Sequence, residues 1–255
     1  MVGKCQGCKQ GEGLPFGIRT AFQPIVDLES GRPYAYEALV RGQSAESAGE
    51  ILSLVTDENR YAFDQACRVN AINEAVDAGL LETDAKLSIN FLPNAVYSPL
   101  ACIKLTLATA LARGLPSSRL IFEFTENEQL DPVHVREIVK TYRALGFSTS
   151  IDDFGSGHAG LALLANLATD ALKLDRDLVR GIDVCPRRKS IVKSIVGLSC
   201  DLGLLLVAEG VETEPELRTL QDLGIRYVQG FLIARPRIGV LPPIDTGLSL
   251  SRDAA

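Results

Sequence analysis

The segment from Gly146 to Asp175 reads GFSTSIDDFGSGHAGLALLANLATDALKLD. Its two ends, Phe147–Asp152 and Asp170–Asp175, have the short β-rich composition of strands, and the stretch between them has room for a glycine-rich turn and a helix. Gly146 precedes the first strand, where the end of an earlier helix favours a residue that tolerates left-handed backbone. Strands that are joined by a helix run parallel in one sheet, so this segment predicts a βα unit.

Glycines that follow predicted helices recur along the chain. Five glycines each follow a stretch of helical periodicity and precede an apolar residue: Gly79, Gly114, Gly146, Gly203 and Gly224. Eight β-rich runs predict strands: Thr20–Leu28, Tyr34–Val40, Lys86–Asn90, Leu120–Phe124, Phe147–Asp152, Asp170–Asp175, Leu204–Glu209 and Arg226–Gln229. The first two runs are separated only by residues 29–33, which predicts an antiparallel hairpin. We therefore expect an α/β protein with a (β/α)8 TIM-like barrel and an antiparallel first strand over residues 17–240, between tails at 1–16 and 241–255.

The composition is that of a folded globular protein with an acid excess. The chain has 255 residues, 46% of them hydrophobic, and 26 basic against 32 acidic side chains give a net charge of −6. This balance argues against DNA as a partner, because DNA-binding proteins present a basic face. The longest apolar stretch, Leu202–Ala208, is far shorter than the roughly 18 residues of a membrane span. The first residues lack the apolar run of a secretory signal and the cysteines lack a disulfide pattern, so we expect a cytoplasmic protein.

Polar residues stand at the carboxyl end of almost every predicted strand. They are Glu37, Asn90, Glu123, Asp152, Asp153, Lys173, Glu209 and Gln229. Active sites of (β/α)8 barrels gather at that end of the strands, so these side chains are predicted to converge on one mouth. Five carboxylates in one place repel each other, and hard divalent cations with oxygen ligands would relieve the repulsion.

Each of these residues also has a simpler interpretation. A single glutamate at a strand end is commonly exposed or caps a helix, Asp152 and Asp153 fit a turn before a helix, and Lys173 fits a solvated strand end. Coincidence at so many strand ends is far less expected than at one. The joint pattern therefore favours a metal site.

The sequence also resembles the EAL-domain family, the phosphodiesterases of the bacterial messenger cyclic di-GMP. The family's naming motif is present as Glu37-Ala-Leu-Val-Arg41, after a strand that contains Phe22-Gln-Pro-Ile-Val26. Further motifs match in the family's order: Ser88-Ile-Asn90, Phe122-Glu-Phe-Thr-Glu126, Asp152-Asp-Phe-Gly-Ser-Gly157, Lys173-Leu-Asp175, Glu209-Gly-Val-Glu-Thr213 and Gln229-Gly-Phe231. The resemblance covers residues 22–236, and Asn90-Phe-Leu-Pro93 is most similar to the EAL domains that are attached to blue-light sensors.

The resemblance implies a site for two Mg²⁺ or Mn²⁺ ions. The ligands that it assigns to the first ion are Glu37, Asn90, Glu123 and Asp152. Asp152 would bridge to the second ion, which Asp153 and Glu209 would help to hold. Two such ions activate water and stabilise both the attacking and the leaving oxygen of a phosphodiester, whereas Ca²⁺, with its longer bonds, is expected to bind and inhibit.

The catalytic residues that the resemblance implies are Glu37, Asp153, Lys173, Glu209 and Gln229. Lys173 would orient the attacking water or help to deprotonate it. Gln23 and Arg41 would contact substrate, with Arg41 on a phosphate. Glu126 would brace the loop that begins at Asp152, which the family links to dimerisation.

The implied activity is hydrolysis of cyclic di-GMP to linear pGpG by a homodimer, together with a separate sensor or signalling partner. Two departures from the family pattern are His158-Ala-Gly160, where Tyr-Ser-Ser is common, and Leu92, where a small hydroxylated residue is common. The first concerns loop and dimer contacts, and neither removes a metal ligand. Two alternatives stay open: a catalytically silent cyclic di-GMP receptor that acts through dimer or partner contacts, and a barrel lyase or isomerase that forms an enolate with Lys173.

Cys5 and Cys8 form a CxxC pair in the first tail. A full zinc site needs four ligands, and no nearby CxxC or histidine completes one. A disordered tail and a redox or metal clip between subunits are both consistent with this segment.

Overall fold

A long hairpin begins the barrel. In the computed structural model, which describes residues 14–125, 131–157 and 160–244, β1 (Ile18–Asp27) pairs antiparallel with β2 (Arg32–Gly42). The turn between them starts at Asp27, whose carboxylate accepts hydrogen bonds from the backbone nitrogen of Glu29 (3.0 Å) and the hydroxyl of Ser30 (3.1 Å). Such side-chain to backbone bonding favours a tight turn. The predicted antiparallel first strand is confirmed.

Further strands complete the sheet: β3 (Lys86–Asn90), β4 (Leu120–Thr125), β5 (Ser148–Phe154), β6 (Ala171–Leu174), β7 (Leu205–Ala208), β8 (Tyr227–Val228) and β9 (Arg237–Ile238). Strands β2 to β8 pair parallel in chain order, and β8 pairs antiparallel with β1, so eight strands close into a barrel. The predicted fold class is confirmed. Strand β9 pairs with β1 at Ala21 and Phe22, and the sequence did not predict it because two residues show no periodicity.

The helices of the described ranges lie around the barrel. They are α1 (Ala48–Leu52), α2 (Arg60–Asp77), α3 (Pro99–Cys102), α4 (Lys104–Ala112), α5 (Pro132–Ala144), α6 (Gly160–Asn166), α7 (Arg176–Val179), α8 (Pro186–Leu202) and α9 (Glu214–Asp222). The main apolar core fills the space between helices and sheet, with Phe122 and Tyr142 fully buried in it. The five glycines predicted to follow helices all have φ between +68° and +92°. None of the described helices is long and apolar enough to cross a membrane.

The boundaries of the predicted strands differ by at most two residues from those observed. The largest difference is at β2, which extends two residues beyond the predicted Tyr34–Val40 at each end. Strand β8, predicted as Arg226–Gln229, ends at Val228, so that Gln229 follows the strand. Residues 1–13, 126–130, 158–159 and 245–255 lie outside the described residues. The predictions for Cys5, Cys8, Glu126 and His158 fall on those segments.

Candidate active site

The interior of the barrel changes from apolar to polar along the strands. One buried cluster inside the barrel consists of Ile25, Ala35, Ile121 and Val207. Side chains two positions apart on a strand point to the same face, so the next interior layer is made by residues two positions further toward the mouth. On β1, which runs in the opposite direction, that residue is Gln23. On the parallel strands the corresponding residues are Glu37, Asn90, Glu123, Asp152, Lys173, Glu209 and Gln229.

The carboxylates of this layer form two groups that share one residue. Glu37, Glu123 and Asp152 offer oxygens within 4.8 Å of one another, and so do Asp152, Asp153 and Glu209. Hard divalent cations take carboxylate oxygens as ligands. The structure thus brings the five predicted carboxylates together at one mouth, and Asp152 belongs to both groups.

Lys173 lies between these carboxylates and is 1% exposed. Its Nζ is 2.5 Å from Oε1 of Glu209, 2.9 Å from Oε2 of Glu123 and 3.1 Å from Oδ1 of Asp152. Oε2 of Glu37 is 3.4 Å away. One ammonium group therefore contacts four carboxylates.

Glu37 is held by amide groups from two other strands. Asn90 donates from Nδ2 to Oε1 of Glu37 (2.8 Å), and Gln229 donates from Nε2 to Oε2 (2.7 Å). Nε2 of Gln229 also donates to Oε1 of Gln23 (3.1 Å), whose own Nε2 donates to the carbonyl of Ala234 (3.0 Å). Within the described residues, the buried Oε1 of Gln229 has no hydrogen-bond partner. The predicted residues Gln23, Asn90 and Gln229 thus belong to one network around Glu37.

The charges in the cluster do not balance. Burial by itself would lower the pKa of Lys173. The four carboxylates outweigh burial and raise this pKa well above its usual value, so Lys173 is an ammonium ion. Burial raises the pKa of Glu37, but the Lys173 charge and the hydrogen bonds from Gln229 and Asn90 outweigh burial and lower it. Burial raises the pKa values of Glu123 and Asp152, and repulsion from Glu37 raises them further. The Lys173 charge lowers both pKa values but does not outweigh these causes. One ammonium cannot neutralise this many carboxylates.

The second carboxylate group is short of positive charge as well. Burial and then Asp152 raise the pKa of Glu209 well above its usual value. Burial, followed by the Asp152 and Asp175 carboxylates, raises the pKa of Asp153 to about 6. Raised pKa values in closely placed carboxyl groups are the electrostatic condition that divalent cations relieve.

Asp153 has an unusual backbone conformation. Its φ is +54°, one of two positive values among the described non-glycine residues, and the pairing of β5 with β6 shifts register between Ile151 and Phe154. The Asp153 carbonyl accepts hydrogen bonds from the backbone nitrogen (3.0 Å) and hydroxyl (2.8 Å) of Ser156. Irregularities of this kind commonly redirect side chains at active sites. Here the irregularity brings Asp153, the residue after Asp152, to the same mouth.

A cleft of about 240 Å³ opens above the cluster. It contains predicted residues such as Gln23 and Asp153, and also residues that sequence reasoning did not assign to the site: Arg176, Glu212 and Phe231. A signal for Arg176 was present, because it follows the Lys173-Leu-Asp175 motif at a predicted strand end. Phe231 is 46% exposed, and the guanidinium of Arg235 lies 4.3 Å from its ring centroid.

Arg41 lies on the same face of β2 as Glu37 but is not among the residues that line this cleft. Its Nη1 donates to the carbonyl of Val40 (2.7 Å). A second, mostly apolar cavity of about 410 Å³ lies beside the cluster and shares Leu39 with the cleft. Asn90 lines this second cavity.

Comparison with protein families gives one match over this barrel: the EAL domain matches residues 17–236. Among curated proteins, the chain is 30% identical over 227 residues to the blue light- and temperature-regulated antirepressor BluF of Escherichia coli, covering 88% of this chain and 55% of BluF. It is 29% identical over 236 residues to the cyclic di-GMP phosphodiesterase PA2567 of Pseudomonas aeruginosa, covering 90% of this chain and 40% of PA2567. The chain thus spans about half the length of these relatives.

Solved structures share the fold. A standalone EAL protein from Vibrio cholerae, solved with cyclic di-GMP, is 45% identical, has a TM-score of 0.88 and covers 91% of this chain and 98% of its own. BlrP1 of Klebsiella pneumoniae in complex with calcium and cyclic di-GMP is 34% identical and has a TM-score of 0.83. The match covers 96% of this chain and 60% of BlrP1. BlrP1 has also been solved with manganese and cyclic di-GMP. This structure is 36% identical, has a TM-score of 0.82, and the match covers 89% of this chain and 58% of BlrP1.

Proposed function

The chain belongs to the EAL domain family, and on this basis we propose that it is a metal-dependent phosphodiesterase that hydrolyses cyclic di-GMP to linear pGpG. The observation that carries the proposal is the pair of carboxylate groups that share Asp152 at the mouth of the barrel. PA2567, a relative of similar sequence, is named as a phosphodiesterase of this messenger, and structures of EAL relatives contain it.

The donor set fits two divalent ions. The ligands supported for the first ion are Glu37, Asn90, Glu123 and Asp152, and those for the second are Asp152, Asp153 and Glu209. These ligands are all oxygen donors, which suits Mg²⁺ or Mn²⁺, and the raised pKa values of Asp153 and Glu209 agree with a missing positive charge. When bound, such ions supply an activated water and charge stabilisation for phosphodiester cleavage.

We propose that Lys173 acts on the attacking water, by orienting it or by helping to deprotonate it. Its contacts with Glu123, Asp152 and Glu209 favour a donor that holds the carboxylates in place and orients the attacking water. Gln229 supports the same arrangement through Glu37.

Substrate contacts are proposed on both sides of the cleft. Gln23 lines the cleft, and Arg41, which lies on the same strand face as Glu37, is proposed to contact a phosphate. Arg176 adds a positive charge to a cleft that is otherwise rich in carboxylates, which favours an anionic substrate. Phe231 offers an exposed aromatic face for a base.

A homodimer is part of the proposal. A groove of about 290 Å³ between α6 and α8 is lined by Leu161, Ile191 and Leu198, and Leu161 is 70% exposed. Helix α6 follows shortly after the segment that carries Asp152 and Asp153, so a partner that covered the groove would contact elements next to the site. By light scattering, the wild-type protein should be a dimer and the Leu161→Glu variant a monomer. A wild-type protein that is monomeric at all concentrations would contradict the proposed dimer.

The remaining parts of the proposal concern context. We assign residues 17–240 to the catalytic barrel, with tails at 1–16 and 241–255, and a cytoplasmic location where the messenger is available. We also propose that a separate sensor or signalling partner supplies the input signal.

Incubation of purified protein with cyclic di-GMP and Mg²⁺ or Mn²⁺, followed by chromatography, tests the function. Wild-type protein should form pGpG, and Glu37→Gln should not, whereas Glu137→Gln on the exposed face of α5 should match the wild type. Binding without turnover would establish the silent receptor instead. If the protein neither bound nor hydrolysed cyclic di-GMP, the lyase or isomerase alternative would remain.

A further inference from the structure

A buried ion pair lies outside the barrel, behind the carboxylate cluster. Arg68 and Asp64 are one turn apart on α2, with Nη2 of Arg68 2.7 Å from Oδ2 of Asp64. Arg68 is 0% exposed and Asp64 is 3% exposed. Nη1 of Arg68 donates to the hydroxyl of Tyr142 on α5 (2.9 Å).

The pair contacts the backbone that leads away from β3. Oδ1 of Asp64 accepts a hydrogen bond from the backbone nitrogen of Leu92 (3.0 Å), two residues after Asn90. Between them, the backbone nitrogen of Phe91 donates to the carbonyl of Glu123 (2.9 Å). The backbone after Asn90 is therefore fixed on one side by α2 and on the other by β4.

The guanidinium of Arg68 also contacts the rings next to two metal ligands. It lies 5.3 Å from the ring centroids of both Phe91 and Phe122. Phe91 follows Asn90 in the chain, and Phe122 precedes Glu123. Contacts of this kind between a guanidinium and aromatic rings are attractive and restrict the rings.

Stability gives a poor explanation for this pair. Burying two charges carries a desolvation penalty, and apolar replacements of similar volume are often equally stable or more stable. Nε of Arg68 has no hydrogen-bond acceptor within the described part of the chain, so the pair is not fully satisfied. Its contacts with the two strand ends offer another reason for its presence.

We propose that Asp64 and Arg68 are positioning residues that hold Asn90 and Glu123 in register as ligands of one metal ion. The inference rests on the proposed two-metal function. Partners that orient metal ligands typically change metal affinity by about 10–100-fold when they are removed. The effect should fall on one of two bound ions, because the hydrogen bonds and ring contacts described for the pair lead to β3, β4 and α5 and not to the elements that carry Asp153 and Glu209.

The test measures Mn²⁺ binding by electron paramagnetic resonance and calorimetry, with Mn²⁺ alone. Arg68→Lys keeps the charge but loses the planar guanidinium that pairs with Asp64 and lies against the Phe91 and Phe122 rings. The double variant Asp64→Leu/Arg68→Met replaces the pair by apolar side chains and should remain folded. We expect one of two Mn²⁺ ions to bind about tenfold more weakly in both variants, and the other to bind as in the wild type.

Two control variants separate positioning from stability. Tyr142→Phe removes the hydroxyl that accepts from Arg68 and keeps the ring, so it should lower the melting temperature and leave both Mn²⁺ affinities unchanged. Asp27→Asn weakens the bidentate pair with Arg226 at the opposite end of the barrel and should behave in the same way. Unchanged Mn²⁺ affinity in folded Arg68→Lys and Asp64→Leu/Arg68→Met would overturn the inference. Absence of Mn²⁺ binding by the wild-type protein would instead contradict the proposed function itself.

Discussion

At the scale of single residues, Lys173 is the group on which the site is centred. Replacing it by methionine removes an ammonium that contacts four carboxylates but leaves the cleft residues that would hold the substrate. We expect kcat of Lys173→Met to fall by about a hundredfold or more with a much smaller change in KM, because the lost group acts on the reacting water and not on the bases. Steady-state kinetics at saturating Mn²⁺ measures both.

The matched control for Lys173 is Lys140→Met, on the exposed face of α5. It should leave both kinetic parameters unchanged. A rise in KM with kcat preserved in Lys173→Met would identify Lys173 as a substrate-binding residue and contradict its proposed role.

At the scale of elements, the end of β7 and the start of α7 fit closely together. Gly210 has a φ of +65°, and a Cβ atom there would lie 2.5 Å from Cβ and 3.3 Å from Cα of Arg176. Gly210→Ala must therefore displace the backbone that carries Glu209 or the first turn that carries Arg176. We expect a loss of about 1–2 kcal/mol in stability from the left-handed conformation and, in addition, roughly tenfold lower activity per folded molecule.

Gly203→Ala provides the matched control for Gly210. It has a similar φ of +68° at the end of α8, but a Cβ atom there has no contact within 4 Å. Its stability should fall by a similar amount while its activity per folded molecule stays at the wild-type level. Equal activity of the two variants would show that the close contact between Gly210 and Arg176 does not position the site.

At the scale of the whole molecule, metal binding should be coupled to pH through stability. Burial and mutual repulsion raise the pKa of Asp153 to about 6 and also raise the pKa values of Asp152 and Glu209. Between the unfolded and the folded pKa values, the native state binds more protons than the unfolded state. The free energy of unfolding of the metal-free protein therefore falls as pH rises through this interval.

Metal ions must displace those protons, so the stabilisation by Mn²⁺ should grow with pH. We compare one fixed Mn²⁺ concentration, about a hundredfold above the Kd at pH 8. We expect the melting temperature to rise by roughly 5–10 °C near pH 8, and by less than about half of that near pH 5.5, where Mn²⁺ binds more weakly. Scanning calorimetry with and without Mn²⁺ measures the difference. A shift that did not change with pH would mean that the carboxylates are already ionised without metal.

Calcium should bind the whole site without supporting its reaction. Its bonds to oxygen are about 2.3–2.6 Å long, against about 2.0–2.1 Å for Mg²⁺, which changes the geometry that in-line attack requires. BlrP1, a relative with the same fold, has been solved with calcium and cyclic di-GMP together. We expect Ca²⁺ to inhibit in competition with Mg²⁺ while cyclic di-GMP still binds; full turnover with Ca²⁺ as the sole divalent ion would contradict this mechanism.

The sequence by itself determined the barrel and the set of polar residues at its mouth. Strand and helix periodicity are local properties, and so is the turn at residues 29–33 that makes the first strand antiparallel. Residues at the carboxyl ends of parallel strands must meet once the barrel closes. For that reason Glu37, Asn90 and Glu209 could be placed in one site before any distance was known.

Only the tertiary structure decided how these residues contact one another and what lies behind them. The four contacts of Lys173 and the burial of Arg68 between Phe91 and Phe122 join segments that are far apart in the chain. The position of Arg176 beside Gly210 has the same origin. Such contacts depend on the diameter, the register and the helix packing of the closed barrel, and no local pattern in the sequence encodes these quantities.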